Sequence, residues 1–366
     1  DDIAVETTEP SGIAELAAIV VMRGGASGVS SVSGIIFGFD NSDIAAEMPG
    51  IVLELALAAG DFDGDGADDL AVGLPDADVF DESGALIFDA GGVFIMRGQS
   101  GTNGTITAQG ATALTERSAN SIPRFNERFG SALAAGDFDG DGADDLAVAA
   151  PLEDVVTVNG TFAQDGGFLA VFSHAETLHG IYTQLPLGLN PQAGERFGTA
   201  LAAADVNGDG ADDLAVGTPG EVVNGIAGAG SATVLHGILN LGLPRPATFG
   251  LPQITGTIRT FTQATADVGD QPENGDRFGQ TLSASDAGRT AHADLIVGVP
   301  DEDLLVFIPA SSLEDITAET RANAGAVHVL YGSAAGVQAS GSHTVTQNSA
   351  SVPVGVEAGD RFGAAL

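Results

Sequence analysis

Gly60-Asp-Phe-Asp-Gly-Asp-Gly-Ala-Asp-Asp-Leu-Ala-Val72 decides how the rest of the chain is read. The same thirteen residues return from Gly136 to Val148, and a third copy, Ala204 to Val216, differs only at its first, third and fourth positions. Ser285 to Val297 is a fourth, degraded copy. The leading aspartates, at 61, 137, 205 and 286, lie 76, 68 and 81 residues apart, and a proline follows each copy at Pro75, Pro151, Pro219 and Pro300. Three copies are preceded at a fixed distance by Arg-Phe-Gly: Arg128-Phe129-Gly130, Arg196-Phe197-Gly198 and Arg277-Phe278-Gly279. Before the first copy that place reads Leu53-Glu54. Self-similarity at such a period marks a repeat architecture.

The two ends fit the same register. Asp1-Asp2-Ile3-Ala4-Val5 matches the tail of the motif, and Arg361-Phe362-Gly363 matches the lead-in to a further copy. The expectation is about five repeat units in one domain spanning 1–366, with units 1–52, 53–128, 129–196, 197–277 and 278–361 and a further unit starting at 362–366. A piece of a longer protein is the simplest account of such ends.

Within a unit the pattern is that of β-strands. Leu70-Ala-Val72 leads to a turn at Gly73 and Pro75, then a loop, then an apolar run such as Gly92-Val-Phe-Ile-Met96. Its counterparts are Gly167 to Phe172, Ser231 to Leu235 and Ala326 to Tyr331. Asn103-Gly104, Asn159-Gly160 and Asn224-Gly225 are hairpin-turn signals. No stretch holds a helical period over three turns. Four short antiparallel strands per unit predict an all-β fold, a β-propeller of four-stranded blades, in which radial repetition protects the sheet edges.

In Asp61-x-Asp63-x-Asp65-Gly66-x-x-Asp69 alternate side chains converge on one point, and the glycines permit left-handed turns. So many carboxylates in so short a loop repel one another unless a cation neutralises them. Oxygen-only ligands on a flexible loop favour Ca2+ over transition metals and over the smaller octahedral Mg2+ site. An EF-hand would need a bidentate Glu at position twelve, where this chain has Val72, Val148 or Val216. The expected ligand sets are Asp61, Asp63, Asp65 and Asp69 with the Ala67 carbonyl; Asp137, Asp139, Asp141 and Asp145 with that of Ala143; and Asp205, Asn207, Asp209 and Asp213 with that of Ala211. Asp68, Asp144 and Asp212 are left to face solvent or accept backbone hydrogen bonds. In the fourth copy Gly288 and Thr290 stand at positions three and five. There, Arg289 or a hydrogen-bond network is expected in place of the cation.

Phe-Gly, then an acidic loop, then a Gly-x-Pro-like turn resembles the FG-GAP repeat of integrin α-chain β-propellers and their bacterial relatives, over nearly the whole chain. The resemblance implies a propeller, seven-bladed in that family, with calcium loops on one face that brace the fold and are not catalytic.

Composition narrows the rest. The 366 residues carry 12 basic side chains, all arginine, against 50 acidic ones, a formal net charge of −38. An acidic surface of that order argues against binding nucleic acid or an anionic membrane. The absence of Cys and Lys excludes disulfides, thiol catalysis, Schiff-base chemistry and a Walker phosphate loop. The longest apolar run, Leu16 to Met22, is too short for a membrane helix, so no membrane insertion is expected. The six histidines form no metal-spaced pair, and no Gly-x-Ser-x-Gly elbow occurs. The arginines before Phe-Gly suit a bridge to a neighbouring blade's carboxylate, and the phenylalanines suit packing between blades.

Function is therefore expected to be non-catalytic: an extracellular, calcium-dependent adhesion or interaction module, secreted or at a bacterial cell surface. It would present the loops Asp76 to Ala90 and Asp301 to Arg321 to a protein or glycan. The alternatives are the propeller of a secreted enzyme acting on polysaccharide or phospholipid, and a passive spacer in a large surface protein.

Overall fold

The computed structural model describes residues 3–10, 15–23, 30–38, 55–99, 106–173, 177–237, 258–308, 317–349, 352 and 355–366. The turn signal at Asn103-Gly104 and the Leu53-Glu54 pair lie outside them. Among them the regular secondary structure is all β-strand apart from one 3-10 turn at Glu116–Ala119.

A three-stranded sheet comes first, Ile3–Pro10, Glu15–Arg23 and Ser30–Gly38. Four four-stranded antiparallel sheets follow, each pairing its strands in chain order. The first holds Ala56–Gly60, Asp69–Leu74, Gly92–Arg97 and Thr107–Leu114. The second holds Ala132–Gly136, Asp145–Ala150, Phe168–Ser173 and Thr177–Tyr182. The third holds Ala200–Ala204, Asp213–Thr218, Ser231–Leu235 and Arg259–Phe261. The fourth holds Thr281–Ser285, Asp294–Val299, Ala326–Tyr331 and Gln338–Val345.

One register recurs. Gly60 pairs with Asp69, Gly136 with Asp145, Ala204 with Asp213 and Ser285 with Asp294. The acidic stretch is thus the turn between the first two strands of a sheet, and its ninth position opens the second strand. That second strand is buried along its whole length in the first three sheets, which is why it reads Leu-Ala-Val without polar alternation. The first strands are rich in alanine and stand in contact from sheet to sheet: Ala56–Gly60 on Ala132–Gly136, that on Ala200–Ala204, and that on Thr281–Ser285. Small side chains allow this approach.

Between the sheets lies the core. Phe129, Phe197 and Phe278, from the Phe-Gly pairs, are fully buried. Phe129 packs with Val93 and Ile95 of the first sheet and with Leu146 and Phe168 of the second. Burying each such ring contributes roughly 2–3 kcal/mol. Gly91 forms a parallel bridge with Phe129, and a Cβ on Gly91 would stand 2.3 Å from the Phe129 carbonyl oxygen, so only glycine closes this joint.

The strands alternate direction, so the acidic turns fall at one end of the sheets. The connections from second to third strand, and from fourth strand to the next sheet, fall at the other. That second end carries two-stranded hairpins: Val79–Phe80 with Leu86–Ile87, Val155–Val156 with Phe162–Ala163, and Leu304–Ile308 with Thr317–Arg321. Asn224 and Gly225, at φ 54° and 84°, close the equivalent tight turn in the third sheet between Val223 and Ile226.

Candidate metal centre

Each aspartate turn wraps its backbone around its own carboxylates. Asp61 accepts hydrogen bonds from the amides of Asp65 and Gly66 at 3.0 and 2.8 Å, Asp63 from Asp65 at 3.2 Å, and Asp65 from Ala67 at 2.9 Å. The second turn repeats the pattern, Asp137 accepting from Asp141 and Gly142 and Asp141 from Ala143. In the third, Asp205 accepts from Asp209 and Gly210, Asn207 from Asp209, and Asp209 from Ala211. Gly64 and Gly66, at φ 72° and 87°, make the left-handed steps that turn the side chains inward. The result is a concave set of oxygens: one from each of Asp61, Asp63 and Asp65 lie within 4.8 Å of one another, as do those of Asp137, Asp139 and Asp141.

The ninth position does a different job. Asp69, Asp145, Asp213 and Asp294 are all fully buried. Each ties the turn to its surroundings through backbone amides: Gly98 to Asp69 at 2.6 Å, Phe138 to Asp145 at 3.2 Å, Val206 and Gly237 to Asp213 at 3.1 and 3.0 Å, Ala287 and Gly332 to Asp294 at 2.9 and 2.8 Å. Asp145 also lies within 4.8 Å of Asp139 and His179, so the second turn joins its ninth position to the oxygen cluster. Burial and the charges of Asp139 and Asp141 push the Asp145 carboxyl up to about 7. A bound cation would reverse that penalty.

The turns differ in what stands beside the ninth position. In the first it is Arg97, whose Nη1 lies 2.8 Å from Asp69 and 3.8 Å from Asp63. In the third, His236 Nδ1 lies 3.0 Å from Asp213, and that hydrogen bond raises the histidine's pKa above its ordinary value. Neither partner is visible in the motif, because Arg97 ends the third strand of its sheet and His236 directly follows the third strand of its own, while His179 sits on a fourth strand. In the fourth turn Arg289 points away from the loop: Nη1 donates to the Gly341 carbonyl at 2.5 Å and the guanidinium lies 4.5 Å from the Tyr331 ring centroid. That loop is closed instead by the amides of Gly288 on Asp286 and Ala287 on Asp294.

The convergent carboxylate oxygens of the first two turns fit a hard divalent cation by donor chemistry, with the His179 imidazole beside Asp139 and Asp145 in the second. Asp61, Asp63 and Asp65 would hold it in one, and Asp137, Asp139, Asp141 and Asp145 in the other. The ion would supply charge neutralisation, and with it rigidity, to a turn that otherwise concentrates like charge.

The FG-GAP repeat family matches residues 129–172 and 197–235. Among curated proteins, the chain is 28% identical over 285 residues to integrin alpha-PS2 of Drosophila melanogaster, covering 77% of this chain and 18% of that protein. It is 32% identical over 191 residues to integrin alpha pat-2 of Caenorhabditis briggsae, covering 50% of this chain and 14% of that one. The chain therefore spans under a fifth of the length of these relatives. Among solved structures, the exotype rhamnogalacturonan lyase YesX aligns over 95% of this chain and 58% of its own, at 13% identity and a TM-score of 0.39. Rhamnogalacturonan lyase YesW aligns over 90% and 60%, at 12% identity and a TM-score of 0.36.

Proposed function

We propose that this chain, which carries FG-GAP repeats and is homologous to integrin α chains, is a non-catalytic extracellular adhesion module braced by calcium at one end of its sheets and binding a protein or glycan at the other. FG-GAP repeats are β-propeller blades, and the four-stranded sheets are read as consecutive blades of such a propeller. The division of labour between the two ends carries the reading. The acidic turns gather at one end. At the other, large apolar side chains stand in solvent on the connections: Phe80, Phe88, Ile122, Phe125, Val158 and Phe162, the last four between 61% and 71% exposed. These connections touch one another, the Arg117 side chain donating to the Phe80 carbonyl and the Asn126 amide to that of Phe88. Exposed apolar and aromatic groups framed by polar ones are the usual marks of a binding patch.

A calcium-loaded sample screened on protein and glycan arrays tests the reading. The wild type is expected to capture a ligand that the Phe125→Asp, Phe162→Asp double variant loses, with no change in melting temperature, because both rings are exposed. Equal binding by the double variant, or no ligand on either array, would overturn it. Among the described residues no helix is long and apolar enough to cross a membrane.

A further inference from the structure

Far from the aspartate turns, at the opposite end of the first and second sheets, three glutamates meet inside the protein. Glu116 comes from the 3-10 turn that follows the first sheet, Glu127 directly precedes Arg128-Phe129-Gly130, and Glu153 lies two residues past Pro151. They are 0%, 4% and 7% exposed, and one carboxylate oxygen of each lies within 4.8 Å of the others. Among the described residues the cluster has one cationic partner. Arg124 Nη1 donates to Glu127 at 3.1 Å and to Glu153 at 3.3 Å, and the Arg124 amide donates to Glu127 at 2.6 Å. Both oxygens of Glu116 and Oε2 of Glu153 meet no N–H or O–H donor. A fully buried carboxylate without a donor is a costly feature to leave unmatched.

The same frame occurs twice more among the described residues, with a glutamine in the place of Glu116 each time. Gln184, Glu195 and Glu221 occupy it between the second and third sheets, and Gln263, Asp276 and Glu302 between the third and fourth. There the glutamine supplies the missing donor: Gln184 Nε2 to Glu221 at 2.9 Å, and Gln263 Nε2 to Glu302 at 2.5 Å. At Glu116 the amide donor has been exchanged for a third acid. Three carboxylates against one guanidinium leave two negative charges, the charge that a single divalent ion neutralises.

We propose that Glu116, Glu127 and Glu153 form a separate site for a hard divalent cation, which ties the first sheet to the second at the end opposite the aspartate turns. The free oxygens of Glu116 and Glu153 are the ligands at hand, and an all-oxygen donor set selects Ca2+ or Mg2+ rather than a softer metal. The competing occupant is a proton. Burial and the neighbouring acids hold the Glu116 carboxyl well above the usual carboxylate range, so without a cation it would keep its proton and donate to Glu127.

Glu116→Gln separates the two, because it rebuilds the arrangement that Gln184 and Gln263 already show to be compatible with the fold. In equilibrium dialysis against calcium chloride, and separately magnesium chloride, at neutral pH, the wild type is expected to hold one more ion than Glu116→Gln with at least one of the two salts. The difference of one is read whatever number the aspartate turns bind. Equal stoichiometry in both salts would overturn the proposal. A second measurement uses the same variant: the infrared C=O stretch of a protonated carboxyl that metal-free wild type shows and metal-free Glu116→Gln lacks is expected to disappear from the wild type on saturation with the bound ion. Its persistence at saturation would assign the site to a proton.

Discussion

Asp144 and Asp61 clasp one another across two sheets: the Asp61 amide donates to Asp144 Oδ2 at 2.9 Å, and the Asp144 amide returns a bond to the Asp61 carbonyl at 3.0 Å. Asp212 and Asp137 repeat the clasp one sheet further on, at 3.1 and 2.8 Å. In the second and third turns the eighth position therefore holds the first position of the preceding turn. The flanking residue is matched to it. A Cβ on Gly60 would lie 2.7 Å from Asp144 Oδ2, and one on Gly136 would lie 2.9 Å from Asp212 Oδ2. The third copy carries Ala204 at that place, where the facing turn has Ala293 and no carboxylate. Asp144→Ala is expected to cost about 1–3 kcal/mol, read by chemical denaturation, since it removes one acceptor and leaves a backbone donor between packed turns. Gly136→Ala should destabilise too, while Ala204→Gly, which relieves no clash, should cost at most about 1 kcal/mol.

The arginines before Phe-Gly divide by what faces them. Arg128 is ion-paired with Asp76 of the preceding sheet, and Arg361 reaches Asp301 of the fourth sheet at 2.9 Å. Ahead of Arg196 the corresponding residue is Leu152, and ahead of Arg277 it is Gly220; Arg277 pairs instead with Asp301 of its own sheet at 3.1 Å. Arg128→Ala is expected to lower stability by about 1 kcal/mol, a modest loss because the guanidinium is partly solvated, and less so in high salt. Arg196→Ala should stay within about 0.5 kcal/mol. Melting curves at low and high ionic strength check both.

Glu221 makes stability depend on pH. Burial and the charge of Glu195 push its carboxyl up to about 7 from an ordinary 4.5. The folded state thus holds a proton that the unfolded chain has released, so this contribution is complete below 4.5 and is lost as pH rises to about 7. At most about 3 kcal/mol is at stake. Glu221→Gln removes the ionisation and keeps an acceptor for Gln184, so its stability should fall less than that of the wild type between pH 5 and 8. Equal slopes for the two proteins in denaturation at these pH values would contradict the assignment.

How far the sequence alone reached follows from where the information lies. The aspartate turns close through contacts within a few residues, and the buried Leu-Ala-Val strand and the Phe-Gly pair, though packed against distant segments, recur as the same residues at a steady period, so both pattern and spacing showed them. Asn159-Gly160 and Asn224-Gly225 were legible for the same reason. The Asp61–Asp144 clasp joins residues 83 positions apart, and nothing in one copy reveals its partner in the next. Arg97 beside Asp69, His236 beside Asp213 and His179 near Asp145 enter from third and fourth strands whose residues vary between units. The convergence of Glu116, Glu127 and Glu153 was hidden further still: each glutamate is unremarkable in its own loop, and only the packing of consecutive sheets brings them together.

The central claim is that the aspartate turns bind calcium and that the ion braces the sheets. It is tested most directly by calorimetric titration of calcium into Glu116→Gln protein, where the turns alone report, paired with thermal melts in calcium and in EDTA. About three bound ions are expected, two in the turns at Asp61 and Asp137 and one in the turn at Asp205, where Asn207 replaces one carboxylate, together with a melting temperature that falls sharply in EDTA, because an ion bound only by the folded state stabilises it by mass action. No heat of binding, together with identical melts in calcium and EDTA, would contradict it and leave the turns as solvated acidic loops.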